Sequence, residues 1–319
     1  MTITEATAAA AAIKKNIERV MVGKSREIDL VLTALLASGH VLLEDAPGTG
    51  KTILAKALAR SFDVKFKRIQ FTPDLLPSDM TGINFYSPKT GDFTFRPGGL
   101  FANILLADEI NRATPRTQSG LLESMEERQI TVDGETYRLE EPFFVIATQN
   151  PIETQGTFPL PEAQLDRFLM QLAVGYPDTS GGVEIIRRFI RDDPLEELPA
   201  VCSRENLEAM RAAVRETAIH RDLCEYIVRI TENTRSHESV ILGVSPRGAL
   251  AMARAAQSYA VIKGRDYVAP EDIKALAVPV FRHRILTRGV GRAGTSADSR
   301  RVLEQILDTL PVPTEEMWK

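Results

Sequence analysis

Five short apolar runs in the first half of the chain set the tightest limit on its fold. They are "HVLLE" (His40–Glu44), "KRIQF" (Lys67–Phe71), "NILLAD" (Asn103–Asp108), "FFVIAT" (Phe143–Thr148) and "FLMQLAV" (Phe168–Val174). Each has strand length, and helical periodicity separates several of them. Near-continuous apolar runs suit strands buried on both faces, so the pattern predicts an α/β fold with a five-stranded parallel sheet. Two segments interrupt the alternation. Asn84–Gly99 places a Lys-Thr-Gly-Asp turn between aromatic-rich arms, and Gln129–Leu139 places Asp133-Gly134 between alternating arms, a hairpin signal. Beyond "YPDTSGG" (Tyr176–Gly182) only helices are predicted: Val183–Arg191, Ser203–Thr217, Leu223–Thr234, Ser245–Ile262, Pro270–Arg282 and Ala297–Leu310. Ser245-Pro246-Arg247 and Ala269-Pro270-Glu271 are start signals for two of them. A domain boundary is expected near residue 180, with an αβα domain over residues 1–180 and an all-α domain over residues 181–319.

The stretch after the first run, "EDAPGTGKT" (Glu44–Thr52), nearly spells the phosphate-binding pattern G-x-x-x-x-G-K-[ST]. A helical segment, Thr52–Phe62, follows it. Within Pro47, Gly48, Thr49, Gly50, Lys51 and Thr52 the glycines let backbone N–H groups converge on phosphate oxygens. The helix start turns its dipole toward the anion. Lys51 would reach the terminal phosphates and the Thr52 hydroxyl would ligate Mg²⁺. Asp45 stands where the pattern has its first glycine; this departs from the pattern but removes no ligand. Short motifs recur by chance, so the stretch alone also fits a plain strand–helix turn.

Asp108 and Glu109 end the third apolar run, at the strand end where open α/β sheets bind ligands. Asp108 can hold Mg²⁺ through water, and Glu109 can polarise an attacking water. A solvated sheet edge would carry such acids too. Gln149-Asn150 ends the fourth run, where an amide could orient that water or merely open an Asn-Pro turn.

The remaining composition excludes more than it selects. Thirty-nine basic residues against 43 acidic ones leave a net charge of -4, which favours neither nucleic acid nor an anionic membrane as a bulk partner. Two cysteines, Cys202 and Cys224, and four scattered histidines give no zinc spacing and suit a reducing compartment, which is expected to be the cytoplasm. No run reaches the roughly 18 apolar residues of a membrane span. The alanines at 8–12, preceded by Glu5 and followed by Lys14 and Lys15, read as the start of an amphipathic helix rather than a secretory signal.

Taken in order, the loop, the acid pair, the amide-ended strand, "LPEAQLDRF" (Leu160–Phe168) and "GVSPRGAL" (Gly243–Leu250) resemble an AAA+ ATPase. "FTPDLLPSDMTG" (Phe71–Gly82), "DEINRA" (Asp108–Ala113) and the two hairpins resemble the MoxR family in particular, and the resemblance covers nearly the whole chain. It implies an AAA+ P-loop domain followed by a helical lid, with ATP and Mg²⁺ as ligands. Gly50, Lys51 and Thr52 match the Walker A end, and Asp108 and Glu109 match Walker B. Asn150 matches sensor 1, Arg167 the arginine finger and Arg247 sensor 2. Val22-Gly23 matches the segment that packs against adenine. The hairpin Asn84–Gly99 is similar to the helix-2 insert of the wider clade. The resemblance further implies a homo-oligomer, a hexameric ring that remodels or activates a client protein, often with a von Willebrand A-domain partner.

Several residues keep two readings on sequence grounds. Arg167 would either pair with Asp166 across a sheet end or reach the nucleotide of a neighbouring subunit; Arg112 and Arg116 are weaker candidates for such contacts. Arg247, at a helix start capped by Ser245, is either a surface arginine or a phosphate sensor. The aromatics Phe85, Tyr86, Phe93 and Phe95 either grip a substrate or pack within their own hairpin. His283 is expected to be packed or hydrogen-bonded, not a ligand. A nucleic-acid motor, a metal-chelatase motor subunit and a non-hydrolysing scaffold are the rival functions, and the loop does not separate ATP from GTP.

Overall fold

The computed structural model describes residues 1–89, 91–151, 156–191, 193–288 and 296–313. Two helices, α1 (Ile3–Glu18) and α2 (Ser25–Leu36), precede the first strand, β1 (Val41–Glu44). The alanine run lies inside α1, where Ala6, Ala10, Ile13 and Ile17 are buried at helical spacing. Thr2 and Glu5 close its first turn as a capping box. Next come α3 (Lys51–Ser61), β2 (Phe66–Gln70), α4 (Pro77–Thr81), β3 (Gly82–Ser87), β4 (Asp92–Pro97) and β5 (Ile104–Asp108). A short 3₁₀ turn, Ile110–Arg112, leads to α5 (Pro115–Glu127) and the hairpin β6 (Gln129–Val132) and β7 (Glu135–Arg138). β8 (Phe144–Gln149), α6 (Glu162–Leu165) and β9 (Met170–Leu172) complete the sheet region.

All five apolar runs form strands of one parallel sheet, in the order β2-β5-β8-β1-β9. Strand alternation sends its residues to two cores. Val41, Leu43, Ile104, Leu106, Phe144 and Ile146 face the core that includes α1, α2 and α3. Leu42, Leu105, Ala107, Val145 and Ala147 face the one containing Met80 of α4 and Leu121, Leu122 and Met125 of α5. Burial on both faces explains why these strands read as unbroken apolar runs. Because every pairing is parallel, Glu44, Gln70, Asp108 and Gln149 all end at one edge of the sheet, with Glu44 beside Gln149 and Gln70 beside Asp108.

Beyond β9 the chain is mostly helical: α7 (Thr179–Phe189), α8 (Arg204–Arg215), α9 (Arg221–Ser236), α10 (Pro246–Ile262), α11 (Pro270–Phe281) and α12 (Ser296–Thr309). A small antiparallel pair, β10 (Val240–Leu242) and β11 (Leu286–Thr287), interrupts the helices and was not expected. The first two helices pack onto this region. Ser258 of α10 donates to the Thr33 carbonyl at 2.8 Å, and Lys263 and Lys14 both pair with Asp29 of α2, at 2.9 and 2.7 Å. One apolar cluster therefore runs from α1 and α2 through the sheet face into α8–α12.

The β6–β7 turn has Asp133 and Gly134 at φ 51° and 85°, the two positive values that a tight hairpin turn requires. The hairpins lean on each other. Phe95 stacks on Tyr137 with centroids 4.0 Å apart, and Asn84 donates to Asp133 at 2.9 Å. Tyr86 and Phe93 meet edge to face nearer the hairpin tip, where Phe93 remains 74% exposed. The aromatic hairpin thus packs one of its rings and leaves Phe85, Tyr86 and Phe93 exposed. Among the described residues no helix is long and apolar enough to cross a membrane.

Candidate active site

The loop between β1 and α3 turns twice through positive φ, at Gly48 (81°) and at Gly50 (89°), which caps α3. A side chain at Gly48 would meet no atom within 4 Å, so conformation rather than crowding calls for glycine there. Lys51 folds back over the loop, with Nζ 2.9 Å from the carbonyl oxygens of both Asp45 and Ala46. Asp45, the departure from the sequence pattern, is buried and fully engaged. One carboxylate oxygen accepts the Ala46 N–H at 2.9 Å and the other the Gly175 N–H at 2.7 Å. The carboxylate thus ties the loop to the segment after β9. The Tyr176 hydroxyl donates to the Pro47 carbonyl at 3.3 Å, and Lys24 donates to the Tyr176 carbonyl at 3.0 Å. Val22 and Gly23 immediately precede Lys24 in sequence. Met21 packs within 3.5 Å of the position of a side chain on Gly50, and Val22 approaches Gly181 of α7.

The acid pair follows β5. Thr148 of β8 donates its hydroxyl to Asp108 at 2.7 Å and accepts the Glu109 N–H at 2.8 Å, which fixes both acids relative to the neighbouring strand. Arg68 of β2 grips the other Asp108 oxygen through Nη2 (2.6 Å) and Nε (3.0 Å). Glu109 adopts φ 56°, ψ 50°, a left-handed conformation that costs a non-glycine residue about 1–3 kcal/mol and turns its carboxylate off the strand line. Its Oε2 accepts from Gln70 Nε2 at 2.7 Å and from Arg112 Nη1 at 2.8 Å. Arg112, a candidate for contacts between subunits, is therefore engaged with the acid of its own chain; Arg116 is exposed.

Lys51, Thr52, Asp108, Glu109 and Asn150 all line one cavity of about 400 Å³, with Pro47, Gly48 and Gly50 on its loop side. Arg68 and Thr148, which hold Asp108, line the same wall. One carboxylate, one hydroxyl and room for phosphate and water oxygens form the donor set that Mg²⁺ takes in nucleotide sites, so Thr52 and Asp108 fit that ion if Arg68 yields the Asp108 oxygen it holds. The cavity does not include Arg167 or Arg247.

Those two arginines meet elsewhere. Arg167 does not pair with Asp166, as one sequence reading had it; Arg284 takes that carboxylate at 2.5 Å, and Ser245 reaches it at 3.3 Å. Arg167 Nη1 instead lies 2.9 Å from Glu126 and donates to the Leu122 carbonyl at 2.7 Å, both on α5. Ser245 caps α10 as expected, through the Gly248 N–H at 3.2 Å, and Arg247 in the first turn reaches the same Glu126 at 3.1 Å. A second cavity, of about 220 Å³, contains both arginines and Glu126. His40 lines it as well. Burial, reinforced by Arg128 and Arg211, pulls the His40 pKa down to about 3. The neutral ring accepts the Val145 N–H at Nδ1 (3.0 Å) and donates from Nε2 to the Met125 carbonyl (3.1 Å). His283 is likewise buried, and its Nε2 lies 3.0 Å from the Phe168 carbonyl, so it is packed and hydrogen-bonded.

Sequence reasoning missed Arg68, Gln70, Thr148 and Glu126. For the first two a signal existed: polar residues at alternate positions within "KRIQF" mark one face of an edge strand. Glu126 had none, since its role depends on two residues far along the chain.

A cationic helix start facing an acid pair, at the carboxyl edge of a parallel sheet, defines a P-loop nucleotide hydrolase. The comparisons with known proteins narrow that class. Residues 40–170 match the ATPase family associated with various cellular activities (AAA), and residues 232–306 match the AAA lid domain. The chain is 49% identical over 302 residues to the uncharacterized protein YeaC of Bacillus subtilis, covering 94% of each chain. It is 39% identical to the chaperone MoxR1 of Mycobacterium tuberculosis, covering 93% of this chain and 80% of that protein. A crystal structure described as a putative ATPase from Cytophaga hutchinsonii superposes with a TM-score of 0.89 at 35% identity, covering 98% of this chain and 97% of the other. The chain belongs to the MoxR family of AAA+ ATPases. It is an ATPase and binds nucleotide as that family does.

Proposed function

We propose that the chain is the motor subunit of a chaperone-like ring, a homo-oligomer and in our reading a hexamer, that couples ATP hydrolysis to remodelling or activating a client protein. The observation that carries this reading is the split between two cavities. Lys51, Thr52, Asp108, Glu109 and Asn150 share one, while Arg167 and Arg247 share another. A subunit so built keeps Arg167 and Arg247 apart from its own phosphate-binding loop and acid pair. A head-to-tail contact that repeats around a closed ring would unite them.

In this reading the N–H groups of residues 47–52 and the Lys51 ammonium bind the phosphates, exchanging Lys51's loop carbonyls for phosphate oxygens. Thr52 and Asp108 hold Mg²⁺, which supplies charge neutralisation of the phosphates. Val22 and Gly23 border the base. Glu109 accepts the proton of a water whose oxygen forms a bond to the γ-phosphorus as the bridging P–O bond breaks and ADP leaves; Asn150 orients that water. Arg167 and Arg247 of the next subunit stabilise the charge on the transferred group. The domain division is a nucleotide-binding domain over residues 1–180 and a lid over residues 181–319. The client is a protein, in some assemblies with a von Willebrand A-domain partner. The net charge of -4 supports that reading over a nucleic-acid motor, and two cysteines without a disulfide support a cytoplasmic site of action.

The test is complementation. Lys51→Ala empties its own pocket yet offers intact arginines; Arg167→Ala does the reverse. Neither variant alone should release phosphate from ATP, whereas an exchanged equimolar mixture should regain activity, with assembly followed by light scattering. A fully active Arg167→Ala, or co-assembly of two inactive variants without recovery, would overturn the trans arrangement. Unchanged affinity of Lys51→Ala for a non-hydrolysable ATP analogue would overturn the pocket assignment.

A further inference from the structure

Glu126 stands between two arginines that arrive from distant parts of the chain. It lies in the last turn of α5. Its Oε2 is 2.9 Å from Arg167 Nη1 and its Oε1 is 3.1 Å from Arg247 Nη1. The three side chains are 35%, 30% and 50% exposed, so solvent and a neighbouring molecule can both reach them.

Stabilising the fold is a poor account of this arrangement. Exposed ion pairs contribute little to stability. The backbones that carry the arginines are also fixed without Glu126. Asp166, next to Arg167, is held by Arg284 and by Ser245, and Ser245 is itself the cap of the helix that carries Arg247. What Glu126 adds is direction. Two guanidinium groups brought to one place repel each other, and a carboxylate shared between them removes the repulsion and aims both tips at one point.

We propose that Glu126 is a positioning residue for ATP hydrolysis: it holds Arg167 and Arg247 together as one paired cation that enters the nucleotide pocket of the neighbouring subunit. The proposal rests on the reading that these arginines act in trans. A carboxylate acting in this way belongs to the finger side of each interface and contributes nothing to the pocket of its own chain.

Glu126→Gln keeps the size and removes the charge. Alone, it should lower kcat for ATP hydrolysis about tenfold while KM changes less than about twofold, because its own pocket is intact. Complementation then locates the defect. In co-assembled mixtures of Lys51→Ala with Arg167→Ala, adding Glu126→Gln to the Lys51→Ala chain, which donates the fingers, should cut the recovered activity about tenfold. Adding it to the Arg167→Ala chain, which donates the pocket, should leave recovery within about twofold. The second placement also controls for folding, since a misfolded subunit would fail in both. Equal losses in both placements, or no loss in the first, overturn the proposal while leaving the trans reading intact. Absence of recovery in the parent mixture overturns the trans reading, and this proposal with it.

Discussion

The Gln70 amide donates to Glu109 at 2.7 Å, from the edge strand β2 to the acid after β5. Arg112 takes the same oxygen at 2.8 Å. A carboxylate bonded this way is less available to accept a proton from water, so the two contacts restrain the group proposed as general base. Glu109→Gln should still bind ATP, because Lys51 and Asp108 are untouched, but hydrolysis should fall by about 10²–10⁴. Gln70→Ala should act in the opposite sense and raise basal turnover about two- to tenfold, the kinetic equivalent of releasing one hydrogen bond of about 0.5–1.4 kcal/mol. Steady-state phosphate release measures both. Turnover of Glu109→Gln within about twofold of the unaltered chain would remove the base assignment, and a slower Gln70→Ala would mean that the amide assists the base.

The sheet and the pocket were legible in the sequence for the same reason. Strands buried on both faces have no polar alternation, so the five runs stood out, and a parallel sheet ending at Asp108, Gln149 and the loop at Lys51 brings those residues to one edge. Helix starts at Ser245-Pro246 and Ala269-Pro270 were equally plain, because capping is local. What the sequence concealed is long-range. Asp45 looked like a flaw in the loop because its partner, Gly175, is 130 positions away. The strands β10 and β11 are three and two residues long, too short to show a period. That Arg167 and Arg247 share Glu126 depends on three distant segments meeting at one place, which no motif encodes.

Asp45 yields a test in which restoring the motif should do harm. Asp45→Gly recreates the full phosphate-loop pattern but strands the N–H groups of Ala46 and Gly175. The loss should be about 1–3 kcal/mol of stability, and nucleotide binding should weaken as the loop detaches from the segment after β9. Asp45→Asn, which keeps one acceptor oxygen, should fall between. Thermal unfolding with and without nucleotide gives the comparison, and a glycine variant at least as stable as the unaltered chain would refute the bridging role.

His40 makes stability depend on pH in a defined direction. Its imidazole titrates near 6.5 when exposed and at about 3 in the folded chain. Between those values the unfolded chain binds a proton that the folded chain refuses, so acid favours unfolding. The contribution is complete above about pH 6.5 and is lost progressively as the pH falls toward 3, at up to about 1.4 kcal/mol per pH unit. His283, also lowered by burial, adds a term of the same sign. Urea midpoints at about pH 7.5 and about pH 5.5 should therefore differ, and His40→Gln, which keeps a donor and an acceptor but has no proton to gain, should reduce the difference. An undiminished slope in that variant would show that His40 is not its source.

Asp166 and Arg284 join a 3₁₀ turn after α11, Arg282–Arg284, to the segment that carries Arg167 into β9. Arg284 is 3% exposed and donates to Asp166 at 2.5 Å, to the Phe168 carbonyl at 2.7 Å and to the Leu169 carbonyl at 3.2 Å. Arg284→Met removes the cation and leaves the carboxylate and the carbonyls short of donors, an imbalance that costs about 3–5 kcal/mol for buried pairs. Asp166→Asn should cost less, about 1–3 kcal/mol, because the guanidinium keeps its carbonyl partners. The double variant should be more stable than the sum of the single losses implies, by about 0.5–3 kcal/mol, since each single change leaves the other group uncompensated. Denaturant unfolding of the four chains closes the cycle, and strict additivity would show that the two groups are not coupled. The cycle also bears on catalysis. Asp166 fixes the backbone beside Arg167, so under the trans reading Asp166→Asn should lower kcat and leave the KM for ATP nearly unchanged, as expected of a subunit whose own pocket is whole. A rise in KM with kcat preserved would instead assign the contact to the pocket of its own chain.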